Sequence, residues 1–251
     1  MTDVLLALDF PGRRDEARIA DLRLEEAGWK VEYGLTAPYS RVPDAGAQAA
    51  AIAARRTGPA PRAVLAYCMA APLAHELAAL LSTPGAPVPL LLFDGEPGRP
   101  DAVREAARTV AGQLTGGAAQ ALDDDPELLS DAALTGRPGE AMAAVEDRMT
   151  RLAAEVFLGD GFDEAEARAA ATQVSGFYLD WIAHLTASLH TTRPAWGGRV
   201  LHVRTPGHTG PRQWPGASGT ENHLVDSGRN DLLRDPRTRE LALTLLGPPT
   251  A

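Results

Sequence analysis

The sequence predicts an α/β protein in which a mostly parallel sheet of about six strands is interrupted by an all-helical insertion. Two observations lead to this class. Short apolar runs of strand length alternate with helical patterns through residues 4–93, and strand patterns return at residue 199. Strands that alternate with helices form parallel sheets wound by right-handed crossovers. Between these parts, residues 97–194 show helical spacing and no convincing strand.

The part of the chain before the insertion contains the first predicted strands. Each is an apolar run that ends at a proline, a glycine or a polar residue, and the runs are 4–10, 29–37, 63–67 and 88–93. Helices are predicted between them at 13–27 and 44–56, and a further helix begins at Cys68 and ends before Pro84.

The insertion is rich in alanine and carries many of the few aromatic side chains. Helical patterns are predicted at 101–113, 139–157, 163–172 and 174–189. Most of its aromatic residues should pack one helix against another, and a minority could line a substrate channel. After the insertion we expect strands at 199–205 and 223–226 and a helix at 235–246. The chain is therefore predicted to be one domain, with a core of residues 1–96 and 195–251 and the insertion at about 97–194.

Composition excludes several classes of function. The 24 basic and 33 acidic residues give a net charge of −9, which repels nucleic acid and anionic lipid. No apolar run approaches the roughly 20 residues of a membrane helix, and no secretory signal pattern opens the sequence, so a cytoplasmic location is expected. The single cysteine excludes an internal disulfide and a cysteine-rich zinc site. Without metal-ligand spacing or a phosphate-binding glycine loop, we expect no metal and no cofactor.

Cys68 lies where a strand pattern passes directly into a helical one. The segment Ala66-Tyr67-Cys68-Met69-Ala70 has the layout of a G-x-S-x-G nucleophile elbow, with alanine for both glycines and cysteine for serine. A free cysteine is also often a small core residue, which is the alternative interpretation. Its position favours a nucleophile.

The elbow is one of several segments that share a resemblance. The others are, in chain order, Val31-Glu-Tyr-Gly-Leu-Thr-Ala-Pro38, His75-Glu-Leu-Ala, Leu90-Leu-Leu-Phe-Asp94 and Leu232-Leu-Arg-Asp-Pro236. In order and spacing they resemble the thioesterases of nonribosomal peptide and polyketide assembly lines, of the type II kind, a branch of the α/β-hydrolase superfamily. The resemblance extends nearly end to end. It implies an α/β-hydrolase fold with the insertion as its lid, and it makes Asp94, 26 residues after Cys68, the counterpart of the family's catalytic aspartate.

The chain departs from the family at the catalytic positions. Cysteine replaces the serine, and the position of the family's catalytic histidine falls on Arg229. The Gly-Gly that follows the family's first strand is replaced by Arg13-Arg14, which could contact a phosphate but more simply form a solvated surface. A thiol tolerates the loss of histidine better than a hydroxyl does, because a thiol with a pKa of about 8.5 is already a few per cent thiolate at neutral pH. A helix N-terminus at Cys68 would favour the thiolate further.

The resemblance also suggests roles for the surrounding residues. We expect an ion pair between Asp94 and Arg229, which either keeps a positive charge near the thiolate or only holds the final loop. The main-chain N–H of Met69, with a second donor around Phe10 to Gly12, is expected to bind the oxyanion. The side chains expected to contact substrate are Tyr67, Glu96, Phe177 and Trp181.

The histidines are weighed as replacements for the missing base. Of the six in the chain, only His208, in the loop after the fifth strand, is a candidate. The other histidines are expected to be structural, and His223 is expected at the opposite end of the sheet.

The resemblance implies an enzyme that acts on an acyl or aminoacyl thioester, presented on the phosphopantetheine of a carrier protein, in bacterial secondary metabolism such as antibiotic biosynthesis. Cys68 would take the acyl group and release it by transfer, cyclisation or hydrolysis. Two alternatives stay open. The protein could be a catalytically degenerate relative that uses its pocket for binding, or a non-covalent cyclase or isomerase in which Asp94 or His208 moves a proton.

Overall fold

The computed structural model describes residues 3–10, 16–117 and 127–249. The chain divides into two compact units. The first contains Met1–Pro38, Ala45–Pro97 and Thr191–Ala251, and the second contains Tyr39–Asp44 and Gly98–His190. The first unit carries the sheet, and the second is helical.

The sheet of the first unit has six strands in the order β2-β1-β3-β4-β5-β6, and every pairing is parallel. The strands are β1 Val4–Leu8, β2 Lys30–Tyr33, β3 Ala63–Tyr67, β4 Leu90–Phe93, β5 Arg199–Arg204 and β6 Gly219–Leu224. The central strands β1, β3 and β4 are uniformly apolar and fully buried, as strands of a parallel sheet covered on both faces must be. The predicted α/β class is confirmed.

The α-helices of the described residues are, in chain order, α1 Ala45–Arg55, α2 Ala71–Leu81, α3 Pro100–Leu114, α4 Asp131–Gly136, α5 Pro138–Gly159, α6 Glu164–Leu189 and α7 Pro236–Leu246. Helices α3 to α6 belong to the helical unit, and α5 packs along α6. The two patterns predicted at 163–172 and 174–189 are one continuous helix, α6. None of the described helices has the length and hydropathy needed to cross a membrane.

The sheet order creates a crevice at one edge of the sheet. The chain passes from β1 to β2 on one side and then returns to form β3 on the other side of β1. In open parallel sheets, such a reversal leaves a crevice outside the carboxyl ends of the two strands, and ligands bind there. Cys68 directly follows β3 and therefore lies at this position.

The prediction of a helix at 13–27 is wrong for residues 16–27, the part of this range that the structure describes. The segment forms two 3-10 turns, Ile19–Leu22 and Leu24–Ala27. Arg23 between them has a left-handed backbone (φ 48°), which a continuous helix cannot contain. The main-chain N–H of Ile19 also donates to the Asp9 carboxylate at 2.8 Å. Residues 11–15 lie outside the described residues.

The last strand lies earlier than we predicted, at Gly219–Leu224 rather than 223–226. It is an edge strand whose residues are largely polar and partly exposed, so it has no apolar run to mark it. His223 pairs with Val203 near the carboxyl end of β5. The prediction that His223 lies at the opposite end of the sheet is therefore wrong.

A buried carboxylate on α2 holds the chain just after it leaves the helical unit. Glu76, 7% exposed, accepts hydrogen bonds from the Thr191 hydroxyl at 2.5 Å and from the main-chain N–H groups of Thr192 and Arg193 at 2.5 and 3.2 Å. The Thr192 hydroxyl donates to the same carboxylate. The next residues are held by His75, whose Nε2 lies 2.8 Å from the Pro194 carbonyl oxygen.

We expect Glu76→Gln to lower the free energy of unfolding by about 1.5–3 kcal/mol. The amide carries no charge to strengthen these hydrogen bonds, and its NH2 group would face the hydroxyl and N–H groups that now donate to the carboxylate. Chemical denaturation of the purified protein measures this. The control is Glu240→Gln, the same change on the exposed surface of α7, which should leave the unfolding curve unchanged. Equal curves for the two variants would contradict the anchoring role of Glu76.

Candidate active site

The backbone at Cys68 forms the sharp turn that the elbow motif predicts. Cys68 has a φ of 55°, and a short 3-10 turn, Cys68–Ala70, leads directly into α2. A left-handed backbone at a residue other than glycine costs of order 1–3 kcal/mol and is typical of functional sites. The strand before it and the first eight residues of α2 are buried, so both sides of the turn are fixed.

Arg229 reaches the Cys68 sulfur. Its Nη2 lies 2.7 Å from Cys68 Sγ, and its Nη1 lies 2.7 Å from Glu96 Oε1. The Tyr67 hydroxyl donates to the main-chain oxygen of Arg229 at 3.2 Å. We call these four residues, Tyr67, Cys68, Glu96 and Arg229, the Cys68 cluster. All were site candidates in the sequence, and the structure brings them together.

The expected ion pair between Asp94 and Arg229 is wrong, because the partner of Arg229 is Glu96. The Asp94 carboxylate is fully buried and turns toward β5. It accepts hydrogen bonds from the main-chain N–H and the hydroxyl of Thr205, both at 2.8 Å. His208 Nδ1 lies 3.6 Å from the same carboxylate. Asp94 thus joins the ends of two neighbouring strands.

His208 lies with Asp94 at the carboxyl end of the sheet. Burial lowers the pKa of His208, although Asp94 opposes this effect, so the imidazole is neutral near neutral pH. Its Nε2 is buried beside Gly210. The contacts found in the described chain do not join His208 to Cys68, and its role as a base stays a prediction.

His202 supports the segment that carries the two carboxyl residues. Its Nε2 accepts a hydrogen bond from the main-chain N–H of Gly95 at 2.9 Å. Burial lowers the pKa of His202 to about 3, so this nitrogen is an acceptor at neutral pH. The main-chain N–H of Asp94 donates to the carbonyl oxygen of Val203, and that of Glu96 donates to the carbonyl oxygen of Cys68. Residues 94–96 are therefore held between β3 and β5.

The thiol of Cys68 is neutral in this environment. Burial raises its pKa to about 11, while Arg229 and the main-chain N–H of Met69 favour the thiolate and the carboxylates of Glu96 and Glu16 oppose it. At pH 7 a thiol with this pKa is about one part in ten thousand thiolate. The expectation of a few per cent thiolate is wrong, because burial outweighs the cation and the helix terminus.

The remaining site candidates lie after β1, on the helical unit or outside the described residues. Phe10 follows β1 and is 9% exposed. Residues 11–14, which include part of the expected second oxyanion donor and both arginines of the Arg13-Arg14 pair, lie outside the described residues. Phe177 and Trp181 are half-buried on α6 of the helical unit, where Phe177 contacts Tyr178 and Trp181 stacks on His184. Their contact with substrate stays a prediction.

Two contributing residues were missed in the sequence. Thr205 holds Asp94, and its position directly after a strand was the available signal. Glu16 acts electrostatically on both Tyr67 and Cys68, and the hydrogen bond from Ala17 N to Asn230 O at 2.7 Å brings its segment beside the Arg229 loop. No local pattern marks it. Across residues 3–10, 16–117 and 127–249, no group of three or more His, Cys, Asp or Glu side chains is arranged to hold a metal ion.

We expect the Cys68 thiol to titrate with a midpoint near 11 and the midpoint to rise further in Arg229→Gln, because the neutral amide no longer stabilises the thiolate. The ultraviolet absorbance of the thiolate measures this, with Cys68→Ala as the blank for tyrosine ionisation. A midpoint below that of an ordinary thiol would mean that Arg229 outweighs burial, and an unchanged midpoint in Arg229→Gln would contradict the contact with sulfur.

Solved structures share this fold at low sequence identity. The chain matches no protein-family model and no curated protein. It is similar to the Vlm2 thioesterase domain, solved with 2,3-diaminopropionic acid and a dodecadepsipeptide, at 17% identity over 98% of this chain and 93% of that one, with a TM-score of 0.50. It is also similar to AB3403, a four-domain nonribosomal peptide synthetase bound to AMP and glycine, at 12% identity over 97% and 19% of the two chains, with a TM-score of 0.54.

An epoxide hydrolase, CorEH, is similar at 14% identity over 97% of this chain and 90% of that one, with a TM-score of 0.50. Identities this low establish the fold and not the activity. A thioesterase domain and an epoxide hydrolase thus share the architecture of this chain, and the predicted resemblance to assembly-line thioesterases is confirmed at the level of the fold. The protein has the α/β-hydrolase fold.

Proposed function

We propose that this protein is a thioesterase-like acyl-transfer enzyme that takes an acyl or aminoacyl group from a thioester through Cys68. The observation that carries the proposal is the left-handed backbone of Cys68, which presents a thiol between β3 and α2 at the crevice of the sheet. The thioester would be carried on the phosphopantetheine of a carrier protein in the cytoplasm. Similarity in fold to the Vlm2 thioesterase domain and to a nonribosomal peptide synthetase supports this substrate class.

The first step is an exchange between two thiols. The Cys68 sulfur attacks the thioester carbonyl, a new carbon–sulfur bond forms, and the carrier's carbon–sulfur bond breaks. The proton of Cys68 leaves with the carrier thiolate, so the step consumes no base overall. The Met69 N–H, which now donates toward sulfur, is the first donor for the oxyanion of the tetrahedral intermediate.

Arg229 cannot act as the family's histidine does. A guanidinium is always protonated in proteins and cannot accept the thiol proton. Its contribution is therefore a fixed positive charge, 2.7 Å from the sulfur, which stabilises the thiolate and the charge that develops on acylation. Glu96 holds this cation in place and also reduces its field at the sulfur.

The release step follows from the groups that bond to the sulfur in the described part of the chain, the Arg229 guanidinium and the Met69 N–H, neither of which can accept a proton. Water needs a general base to attack an acyl group at a useful rate, whereas an amine or a second thiol is a better nucleophile without one. We therefore propose that the acyl group leaves by transfer to an amine or thiol, or by cyclisation onto an amine of the substrate, faster than by hydrolysis.

A binding protein is the second candidate function. The neutral, buried thiol and its contact with Arg229 favour it, because neither is needed for chemistry if the pocket only holds an acyl chain. In that case Cys68 would not become acylated, and its replacement would leave ligand binding intact. The two candidates thus differ in a covalent bond that can be observed directly.

We expect intact-protein mass spectrometry to show one acyl group added at Cys68 after incubation with an acyl thioester of pantetheine, since the protein has no other cysteine. Cys68→Ala should show none. Addition of a primary amine should remove the adduct at least about tenfold faster than buffer alone, because the site supplies little base assistance. Arg229→Gln should form the adduct more slowly.

The outcome separates the candidates. An adduct in wild type that is absent in Cys68→Ala supports the acyl-enzyme, and peptide mapping places it. Unmodified wild-type protein across a series of acyl chain lengths, with the thioester bound intact, would assign the pocket to binding. Hydrolysis as fast as aminolysis would contradict the proposed release step.

A further inference from the structure

The contact between Arg229 and the sulfur requires that a long side chain be held in one arrangement. Arg229 is 40% exposed along its side chain, and a long, flexible arginine side chain loses rotamer entropy when it is held in place. Glu96 fixes one end, by its bond to Nη1. The position of the guanidinium also depends on where the main chain of Arg229 lies, because the side chain extends from that point.

The main chain of Arg229 begins a 3-10 helix, Arg229–Arg234, whose N-cap residue Gly228 provides no side-chain hydrogen bond. Two contacts from other elements hold this start. The Ala17 N–H donates to the Asn230 carbonyl, and the Tyr67 hydroxyl donates to the Arg229 carbonyl. Tyr67 is 7% exposed, and its ring is fixed at the end of β3, one residue before the nucleophile.

We propose that Tyr67 is a positioning residue that holds the main chain of Arg229 so that its guanidinium stays on the Cys68 sulfur. The inference rests on the proposed function. Two adjacent residues at the end of β3 then have complementary roles: Cys68 is the nucleophile, and the Tyr67 hydroxyl fixes the cation beside the Cys68 sulfur. Burial raises the pKa of Tyr67, so the hydroxyl remains a donor throughout the pH range in which the thiol titrates. The substrate contact that the sequence suggested for Tyr67 is not required.

The test measures the titration midpoint of Cys68 in Tyr67→Phe, which keeps the ring and removes only the hydroxyl. We expect the midpoint to rise, with a roughly threefold fall in the thiolate fraction and in the rate of alkylation below the midpoint, because the cation moves away from the sulfur. The charged groups that face the thiol, Arg229, Glu96 and Glu16, are unchanged. The control is Tyr33→Phe, which loses a hydroxyl bonded to Glu25 on the surface and should titrate as wild type.

Arg229→Gln is the reference for complete loss of the cation. If Arg229→Gln raises the midpoint and Tyr67→Phe leaves it unchanged or lowers it, the positioning role is wrong and the proposed function stands. If both raise the midpoint and no acyl adduct forms, the positioning role stands and the proposed function is wrong. Should Tyr67→Phe fail to fold, a ring-fluorinated tyrosine at position 67, a stronger donor, must lower the midpoint, and an unchanged or raised midpoint would overturn the proposal.

Discussion

The left-handed turn at Cys68 is the constraint on which the rest of the site depends. It is held from both sides, by a β3 strand with no exposed residue and by the buried first half of α2. Alanine at positions 66 and 70 leaves room for the strand and the helix to meet at this turn. The cost of the unfavourable backbone is therefore offset by the large buried surface of these two elements, which keeps the turn in place.

The charge balance around this thiol differs from that of a nucleophile paired with histidine. A neutral imidazole accepts a proton and becomes a cation only when the nucleophile ionises, whereas Arg229 is a cation at all times. A permanent cation beside a buried thiol would need a counter-charge even before reaction, and Glu96 provides it. The same carboxylate opposes ionisation of the thiol. The ion pair that neutralises the charge of Arg229 therefore also limits how far Arg229 can stabilise the Cys68 thiolate.

Much of the fold could be predicted because its strands are apolar runs with clear ends. The buried strands β3 and β4 and the elbow after Tyr67 are of this kind. Edge strand β6 was misplaced because its exposed polar residues give no apolar alternation. The turns at 19–27 were predicted as a helix because the apolar spacing does not reveal the left-handed backbone of Arg23. At the site, the elbow pattern identified Cys68, and the family resemblance identified Asp94 and Arg229. The partner of Arg229 is Glu96 and not Asp94 because the Asp94 carboxylate bonds to Thr205, a side-chain direction that no sequence pattern records.

Asp94 has a structural role in this arrangement. Its carboxylate bonds twice to Thr205, and its main chain bonds to Val203, so the segment that follows β4 cannot move relative to β5. Two residues further on, the main-chain N–H of Glu96 donates to the carbonyl oxygen of Cys68, and the Glu96 carboxylate accepts a hydrogen bond from Arg229. Asp94 thereby acts at a distance, because it fixes the segment from which Glu96 holds the cation. The residue in the position of the family's catalytic aspartate thereby supports the Cys68 cluster through the main chain.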